Sequence, residues 1–210
     1  ENPELRKVCV SEVIHVTQNL SQEDKILYAT IQCLEENGIQ GTTIRKIAEA
    51  AQVNSAAISY YYRSKDILVE KAMETALNNA FDFDNFPPFT EQTPREWLTD
   101  VFLFMVEGSI KYPGLTRAFF YDMIAAGARN TPMGKRLNDF MEQLLVQLMP
   151  IIRMDEDQLR KSLVQVASAS FLVPVILPHV FDDFYPDMPK NTNAWRQFIY
   201  SMVDRHISWI

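Results

Sequence analysis

The chain has 210 residues, of which 47% are hydrophobic, and its formal net charge is -7. A chain of this length and composition can bury a hydrophobic core, which excludes an intrinsically disordered protein. The negative charge argues against nucleic-acid binding by the chain as a whole, because DNA affinity depends on Lys and Arg. The longest apolar stretch, residues 169–181, contains two prolines and is shorter than a membrane-spanning helix.

The N-terminal end and the two cysteines favour a cytoplasmic protein. Residues 1–7 are mostly polar and are not followed by the apolar segment of a secretory signal. Cys9 and Cys33 could form at most one disulfide, and their spacing does not fit a metal or redox motif. We therefore expect reduced cysteines, no metal and no cofactor.

The scarcity of glycine, with six residues in the chain, predicts an all-α fold. Residues 1–20 show no clean helical face, and we treat them as an N-terminal extension of undetermined structure. Ser21 and Asp24 have the spacing of a capping box. They predict a helix over about 22–37, which ends at Gly38 because glycine tolerates the left-handed conformation of a helix C-cap.

Side chains that can cap helices mark the next three elements. We predict helices over about 43–51, 55–62 and 64–80, capped by Thr42 or Thr43, by Asn54 and by Ser64. Residues 81–94 contain three prolines among acidic and turn residues, and they predict a linker. Beyond it, prolines and glycines separate predicted helices at about 94–111, 114–127, 132–152, 156–180 and 193–210.

The first three helices have the lengths of a helix-turn-helix, with a tight connection between the second and third. Small or apolar residues occur at each position that must pack these two helices together: Ile47, Ala48, Ala51, Val53, Ile58 and Tyr61. The sequence therefore predicts a DNA-binding domain over residues 21–80, with its motif at about 43–62. Residues 81–210 form a second, larger helical domain in this interpretation.

The third helix is predicted to present one row of side chains to solvent. Tyr62 shares the buried face with Ile58, whereas Tyr60 lies about 200° around the helix from Ile58. The outward residues are Ser55, Ala56, Ser59 and Tyr60. Small and hydroxyl-bearing side chains of this kind can lie against base edges in a major groove and reach phosphates.

The acidic balance of the chain is reversed around this motif. Within residues 40–65, the only acidic residue is Glu49, and it is opposed by Arg45, Lys46, Arg63 and Lys65. Lys65 begins the fourth helix, where free backbone amides also favour phosphate. We expect weak nonspecific DNA affinity, because the local excess of positive charge is small.

The segments Thr43–Val53 and Ile58–Leu68 resemble the signature of TetR-type transcriptional regulators, and the resemblance extends over about residues 22–75. It implies a homodimer that binds a palindromic double-stranded DNA operator and is released by a small-molecule effector. Tyr62 matches a buried Phe of the family, whereas Gln52 replaces a glycine and Ser59 a common tyrosine. With the helix starts included, the candidate DNA contacts are Thr42, Thr43, Arg45, Lys46, Asn54, Ser55, Ala56, Ser59, Tyr60, Tyr61 and Lys65.

The last predicted helix carries a wide apolar stripe. It consists of Trp195, Phe198, Ile199, Met202, Val203, His206, Ile207 and Ile210, and Leu163 lies on a second apolar face. Two interpretations are open: the stripe belongs to the core of one chain, or it forms half of a four-helix dimer interface. The resemblance favours the interface, for which the candidates are Leu163, Trp195, Phe198, Ile199, Met202, Val203 and Ile207.

The middle helices are rich in aromatic residues and methionine. Most of these side chains are expected in the core, but a ligand cavity in this domain would be lined by the same residue types and a few polar groups. Candidates for an effector pocket are Phe104, Phe119, Met123, Phe140, Ser168, Phe171 and His179. Such a lining favours an apolar or aromatic effector.

Other classes of protein fit the sequence less well. The motifs of serine hydrolases, P-loop proteins, zinc proteases and dinucleotide-binding enzymes are missing, so we do not expect an enzyme. A repressor is the favoured function. The alternative is a helical dimer that binds a ligand or a protein and has lost operator binding.

Overall fold

The computed structural model describes residues 20–82, 86, 93–181, 183–185 and 191–210. Within these residues the fold is all-α, as predicted, apart from an isolated β-bridge between Ile152 and Trp209. The helices are α1 (Gln22–Gly41), α2 (Ile44–Ala50), α3 (Ser55–Tyr62), α4 (Lys65–Ala80), α5 (Pro94–Lys111), α6 (Pro113–Ala125), α7 (Pro132–Leu148), α8 (Glu156–Ala167), α9 (Val173–Ile176) and α10 (Thr192–His206). A 3-10 turn (Met149–Ile151) follows α7, and a π-helical turn (Ser168–Leu172) joins α8 to α9.

The chain divides into two compact units. The described residues of the first unit lie within 20–81 and 112–133, and those of the second within 82–111 and 134–210. The sequence placed α6 in the second domain, whereas the contacts group it with α1–α4. Residues 1–19 of the predicted extension and most of the predicted linker lie outside the described residues.

The helix starts of the first unit follow from their capping residues. The side chains of Ser21, Thr43, Asn54 and Ser64 each accept a hydrogen bond from the backbone amide three residues further along. Such caps satisfy amides that have no partner within the helix. The regular part of α1 ends at Gly38, as predicted, but its φ of 66° and ψ of 179° differ from the left-handed helical conformation that the sequence predicts there.

The position of α6 in the first unit depends on a close contact with α1. The Glu35 carboxylate accepts hydrogen bonds from the Gly114 amide at 3.2 Å and the Leu115 amide at 2.7 Å. Leu115 is buried in the same core as Ile31 and Leu34 of α1. Cys33 is also buried in this core, and burial raises the pKa of its thiol, which agrees with an unreactive structural cysteine.

The second unit is built around the buried face of α5. Trp97 and Phe102 of α5 and Phe140 of α7 are almost fully inaccessible to solvent. At the edge of the unit, Arg196 of α10 donates a hydrogen bond to Asp100 at 3.0 Å. No helix among the described residues is long and apolar enough to cross a membrane.

Three predicted helices of the second unit end earlier than expected, and the one predicted over 132–152 ends at Leu148, where a 3-10 turn follows. The helix predicted over 156–180 ends at Ile176, after the π-helical turn. The helix predicted over 193–210 ends at His206, because the next residues pair with residues 151–153. The Arg153 amide donates to the Ser208 carbonyl at 2.8 Å in this pairing. Ile210 is therefore not part of the helical stripe and is 72% exposed.

Candidate nucleic-acid interface

The turn between α2 and α3 holds α3 in place on the first unit. The Ala51 and Val53 amides donate hydrogen bonds to the Ile47 and Ala48 carbonyls, at 2.8 and 3.0 Å. Ala48 is buried, and its small side chain lets the two helices approach closely. Ile58 is 1% exposed and anchors α3 in the core. The opposite face of α3 is therefore free to meet a ligand.

The exposed face of α3 has the composition that the sequence predicts. Ser55, Ala56, Ser59 and Tyr60 are all exposed, and Tyr60 reaches 81%. Tyr61 is half-buried and meets Tyr60 edge to face, with ring centroids 5.1 Å apart. The exposed face of this short helix therefore presents hydroxyl groups, an aromatic ring and a methyl group to solvent.

Tyr62 lies on the buried side of α3, as its match to a buried Phe implies. It is 6% exposed, and its hydroxyl donates a hydrogen bond to the Glu23 carbonyl of α1 at 3.2 Å. Burial raises the pKa of this phenol, so the hydroxyl stays protonated and keeps donating. The Tyr62 hydroxyl, which Phe lacks, thus adds a hydrogen bond between α3 and α1.

Two lysines of the first unit, one on each side of α3 in the sequence, donate hydrogen bonds to backbone carbonyls. Lys65 is half-buried, and its ammonium group donates a hydrogen bond to the Thr42 carbonyl at 3.1 Å. Lys46 donates to the Gly41 carbonyl at 3.1 Å and also to the side chain of Asn37. Each ammonium group has three donors, so these contacts position the charge and leave donors for phosphate. Arg45, which precedes Lys46 in the first turn of α2, is also exposed.

Thr42 does not fit the predicted set of DNA contacts. Its side chain is 0% exposed, and its hydroxyl donates a hydrogen bond to the Gly38 carbonyl at 2.7 Å. The cap of α2 is Thr43, which is exposed. The prediction for Thr42 is therefore wrong: its hydroxyl satisfies a carbonyl at the end of α1 and cannot reach a phosphate.

A residue with positive φ lies in the turn before α3, and another follows directly after it. Gln52, in the turn before α3, has φ 55°, which explains the glycine that this position has in the family the sequence resembles. Arg63, after α3, has φ 57° and ψ -41°. The Ser64 amide donates across Arg63 to the Tyr62 carbonyl, as in the rare γ-turn. The sequence predicts that α3 ends at about residue 62, but not the positive φ of Arg63.

We expect Gln52→Gly to raise the free energy of unfolding by about 0.5–1 kcal/mol, because glycine adopts positive φ without steric cost. Gln52 is exposed, so the substitution removes little packing. Asn130→Gly is the matched control: Asn130 has φ 58°, and asparagine tolerates this conformation better than glutamine. Urea denaturation of both variants checks the prediction, which is contradicted if Asn130→Gly gains as much as Gln52→Gly.

Most of the predicted dimer interface is instead core of the second unit. Five of the seven candidates are buried within one chain, with 7% exposure or less: Leu163, Trp195, Ile199, Val203 and Ile207. They cannot form an interface without leaving that core. Phe198 and Met202 are half-buried and stay candidates. The apolar stripe thus showed which face of the helix is buried, but not what covers it.

The predicted effector-pocket residues do not all share one unit. Phe119 packs against the core of the first unit, and Met123 follows on the same helix. Phe140 and Phe171 are buried in the second unit, whereas Phe104 and Ser168 are half-buried there. His179 is exposed and cannot line a closed pocket. The seven residues are thus divided between the two units, and the effector pocket stays a prediction.

Comparisons with known proteins agree with the helix-turn-helix. Residues 26–72 match the family described as bacterial regulatory proteins, tetR family. A probable HTH-type transcriptional regulator of Bacillus subtilis, YttP, is 37% identical over 29% of this chain and 34% of its own. The HTH-type transcriptional repressor KstR2 of Mycolicibacterium smegmatis is 28% identical over 41% and 42% of the two chains. The chain thus spans less than half the length of these curated relatives.

The fold is shared over more of the chain. A TetR transcription regulator from Haloarcula marismortui superposes with a TM-score of 0.59 and 20% identity, over 89% of this chain and 98% of that one. At 20% identity, this likeness shows that the two chains share a fold.

Proposed function

This chain belongs to the TetR family of bacterial regulatory proteins, and we propose that it represses transcription by binding a palindromic DNA operator as a homodimer. A small apolar or aromatic effector releases it from the operator in this proposal. The observation that carries the proposal is the exposed face of α3, which a capped, well-packed helix-turn-helix presents to solvent. The repressor role is supported by the relative KstR2, which is an HTH-type transcriptional repressor. Operator binding also puts the chain in the cytoplasm.

The proposed DNA contacts divide into two groups. Ser55, Ala56, Ser59 and Tyr60 face the base edges and the adjoining backbone, with Tyr61 at the border. Phosphates are contacted from both sides of this helix, by Thr43, Arg45, Lys46, Asn54 and Lys65. Because the second group is small, affinity depends on helix ends, hydroxyls and the twofold arrangement of two α3 helices as well as on charge.

The test of DNA binding is a selection from random double-stranded DNA, followed by a gel-shift of the enriched sequence. We expect a palindromic sequence with half-sites about 10 base pairs apart, or a multiple of this spacing. Enrichment of no sequence over several rounds would contradict the proposal and leave the ligand- or protein-binding dimer as the alternative.

Lys65→Ala is expected to weaken binding of the enriched sequence and of unrelated DNA by a similar factor, roughly threefold to tenfold. The slope of log affinity against log salt should fall by about 1, because one phosphate contact is lost. Lys71→Ala is the matched control: Lys71 lies on the same helix and is paired with Glu74 at the surface. If the two variants bind alike, Lys65 has no phosphate contact.

The proposed dimer uses the part of the second unit that its own core leaves exposed. Val164 of α8 is 59% exposed, and Phe198 and Met202 of α10 are half-buried. An isologous contact would bury the same residues on both protomers. We propose these three residues as the interface instead of the five candidates that are buried within one chain.

Val164→Asp should shift the dimer to monomer in analytical ultracentrifugation, because a carboxylate would have to be buried without a partner. The fold of each protomer should persist, since Val164 contributes little to the core. Ile124→Asp is the control: Ile124 is 62% exposed but belongs to the first unit. A dimer that survives Val164→Asp would place the interface elsewhere.

A further inference from the structure

Ser170 of the second unit has an unsatisfied buried hydroxyl group. The residue is 0% exposed, and its Oγ has no hydrogen-bond partner among the described residues. Two other fully buried hydroxyls in helices behave differently: Thr30 donates to the Ile26 carbonyl at 2.7 Å, and Thr99 to the Arg95 carbonyl at 2.8 Å. Both use the carbonyl four residues earlier, as helical Ser and Thr usually do. An unsatisfied hydroxyl of this kind requires a physical explanation.

The π-helical turn accounts for the difference in geometry. Ser170 lies in the middle of the turn Ser168–Leu172, which widens the helix so that the Val173 amide donates to the Ser168 carbonyl. The hydroxyl does not use the carbonyl of Val166, four residues earlier. Single π-helical turns within α-helices occur frequently at functional sites, because the wider turn changes the direction of side chains. The unsatisfied hydroxyl and the π-helical turn thus occur at the same residue.

The π-helical turn that contains Ser170 has the sequence Ser-Ala-Ser-Phe-Leu and carries no charged side chain. The next residue, Phe171, is buried, and the π-helical turn packs against α5 and α10. Acidic side chains of α5 are engaged with α10: Asp100 accepts from Arg196, and Glu107 accepts from Thr192. Arg95 of α5 is paired with Asp204 of α10. Because residues 162–178 contain no Asp, Glu, Lys or Arg, a charged ligand would find no charged partner in the segment around Ser170.

We propose that Ser170 is the hydrogen-bonding anchor of the effector, and that the effector is a neutral, mainly apolar molecule with one hydrogen-bond acceptor. The identification of this ligand as the effector rests on the proposed function. The binding site itself does not, because it follows from the hydroxyl and the π-helical turn. In this proposal the ligand acceptor accepts a hydrogen bond from the Ser170 hydroxyl, and the apolar remainder of the ligand packs against apolar side chains of the π-helical turn.

The test uses two probes of similar shape, acetophenone and ethylbenzene, which differ in one carbonyl group. Affinities are measured by calorimetry with the full chain and with Ser170→Ala. We expect the preference of the full chain for acetophenone to fall about threefold to tenfold in the variant, because one hydrogen bond is lost. Ser109→Ala is the matched control, since the Ser109 hydroxyl already donates to the Met105 carbonyl at 2.9 Å.

Thermal unfolding gives a second test. If the Ser170 hydroxyl stabilised the fold, its removal would lower Tm, whereas we expect Tm to rise. Ser170→Ala should raise Tm by about 2–6 °C relative to Ser109→Ala, because it removes a buried polar group that has no partner. A lower Tm, an unchanged preference between the probes, or no binding of either probe to the full chain would overturn the proposal.

DNA binding is measured in parallel by gel-shift. Loss of probe preference in a chain that binds no DNA would overturn the proposed function and keep the ligand site. If the chain binds DNA sequence-selectively but Ser170→Ala leaves the probe preference unchanged, the proposed function is kept and the ligand site at Ser170 is overturned.

Discussion

Gly114→Ala is expected to destabilise the first unit by roughly 3 kcal/mol or more, because the new methyl group would overlap the main chain of α1. A Cβ atom at residue 114 would lie 1.9 Å from the Glu35 carbonyl oxygen and 2.8 Å from its carbon. Backbone atoms in the middle of a helix cannot move aside as the end of a side chain can. The whole of α6 would have to shift away from α1.

The contacts beside Gly114 oppose such a shift. The Glu35 carboxylate accepts from two amides at the start of α6, and hydrogen bonds to charged groups are the stronger kind. Leu115 is 6% exposed in the shared core, so moving α6 would also expose apolar surface. In Gly114→Ala, the clash with α1 could therefore be relieved only by breaking the hydrogen bonds and the apolar packing that hold the start of α6 against α1.

Urea denaturation, with Gly108→Ala as the control, checks this prediction. Gly108 is inside α5, and a Cβ atom there would meet nothing within 4 Å. Alanine is the better helix former, so we expect Gly108→Ala to stabilise the protein by about 0.5–1 kcal/mol. Two substitutions of identical chemistry should thus have opposite signs. Equal effects would show that the close approach of α6 to α1 is absent in solution.

The parts of the fold that could be predicted are those determined by neighbouring residues. The caps Ser21, Thr43, Asn54 and Ser64 act over three residues, and each begins a helix where the sequence indicates. The outward face of α3 follows equally directly from the rotation of 100° per residue. Short-range rules suffice at these places because the chemistry is itself short-range.

The parts that could not be predicted depend on residues distant in the chain. Glu35 and Gly114 are 79 residues apart, and nothing near either residue indicates their contact. The pairing of Ile152 with Trp209, which ends α10 early, is of the same kind. The apolar stripe of α10 illustrates the limit most clearly, since periodicity predicts that Ile199 is buried but cannot distinguish the core from a partner chain.

The opposite roles of neighbouring residues on α3 give the second large effect. Ile58→Ala should lower the free energy of unfolding by about 2–5 kcal/mol, because a side chain with 1% exposure leaves a cavity between helices. Tyr60→Ala should change it by less than about 0.5 kcal/mol, since Tyr60 is 81% exposed. Stability alone therefore separates the buried face from the outward one.

The affinity for operator DNA should depend on these two substitutions in a different way from the free energy of unfolding. Tyr60→Ala, although folded, is expected to lose roughly tenfold to a hundredfold in affinity for the selected DNA sequence and much less for unrelated DNA. Tyr60→Phe keeps the ring, so comparing it with Tyr60→Ala separates the contribution of the hydroxyl from that of the ring. Ile58→Ala should bind DNA only in proportion to its folded fraction. If Tyr60→Ala binds the selected sequence as tightly as the unmodified chain, the outward face of α3 does not read the operator.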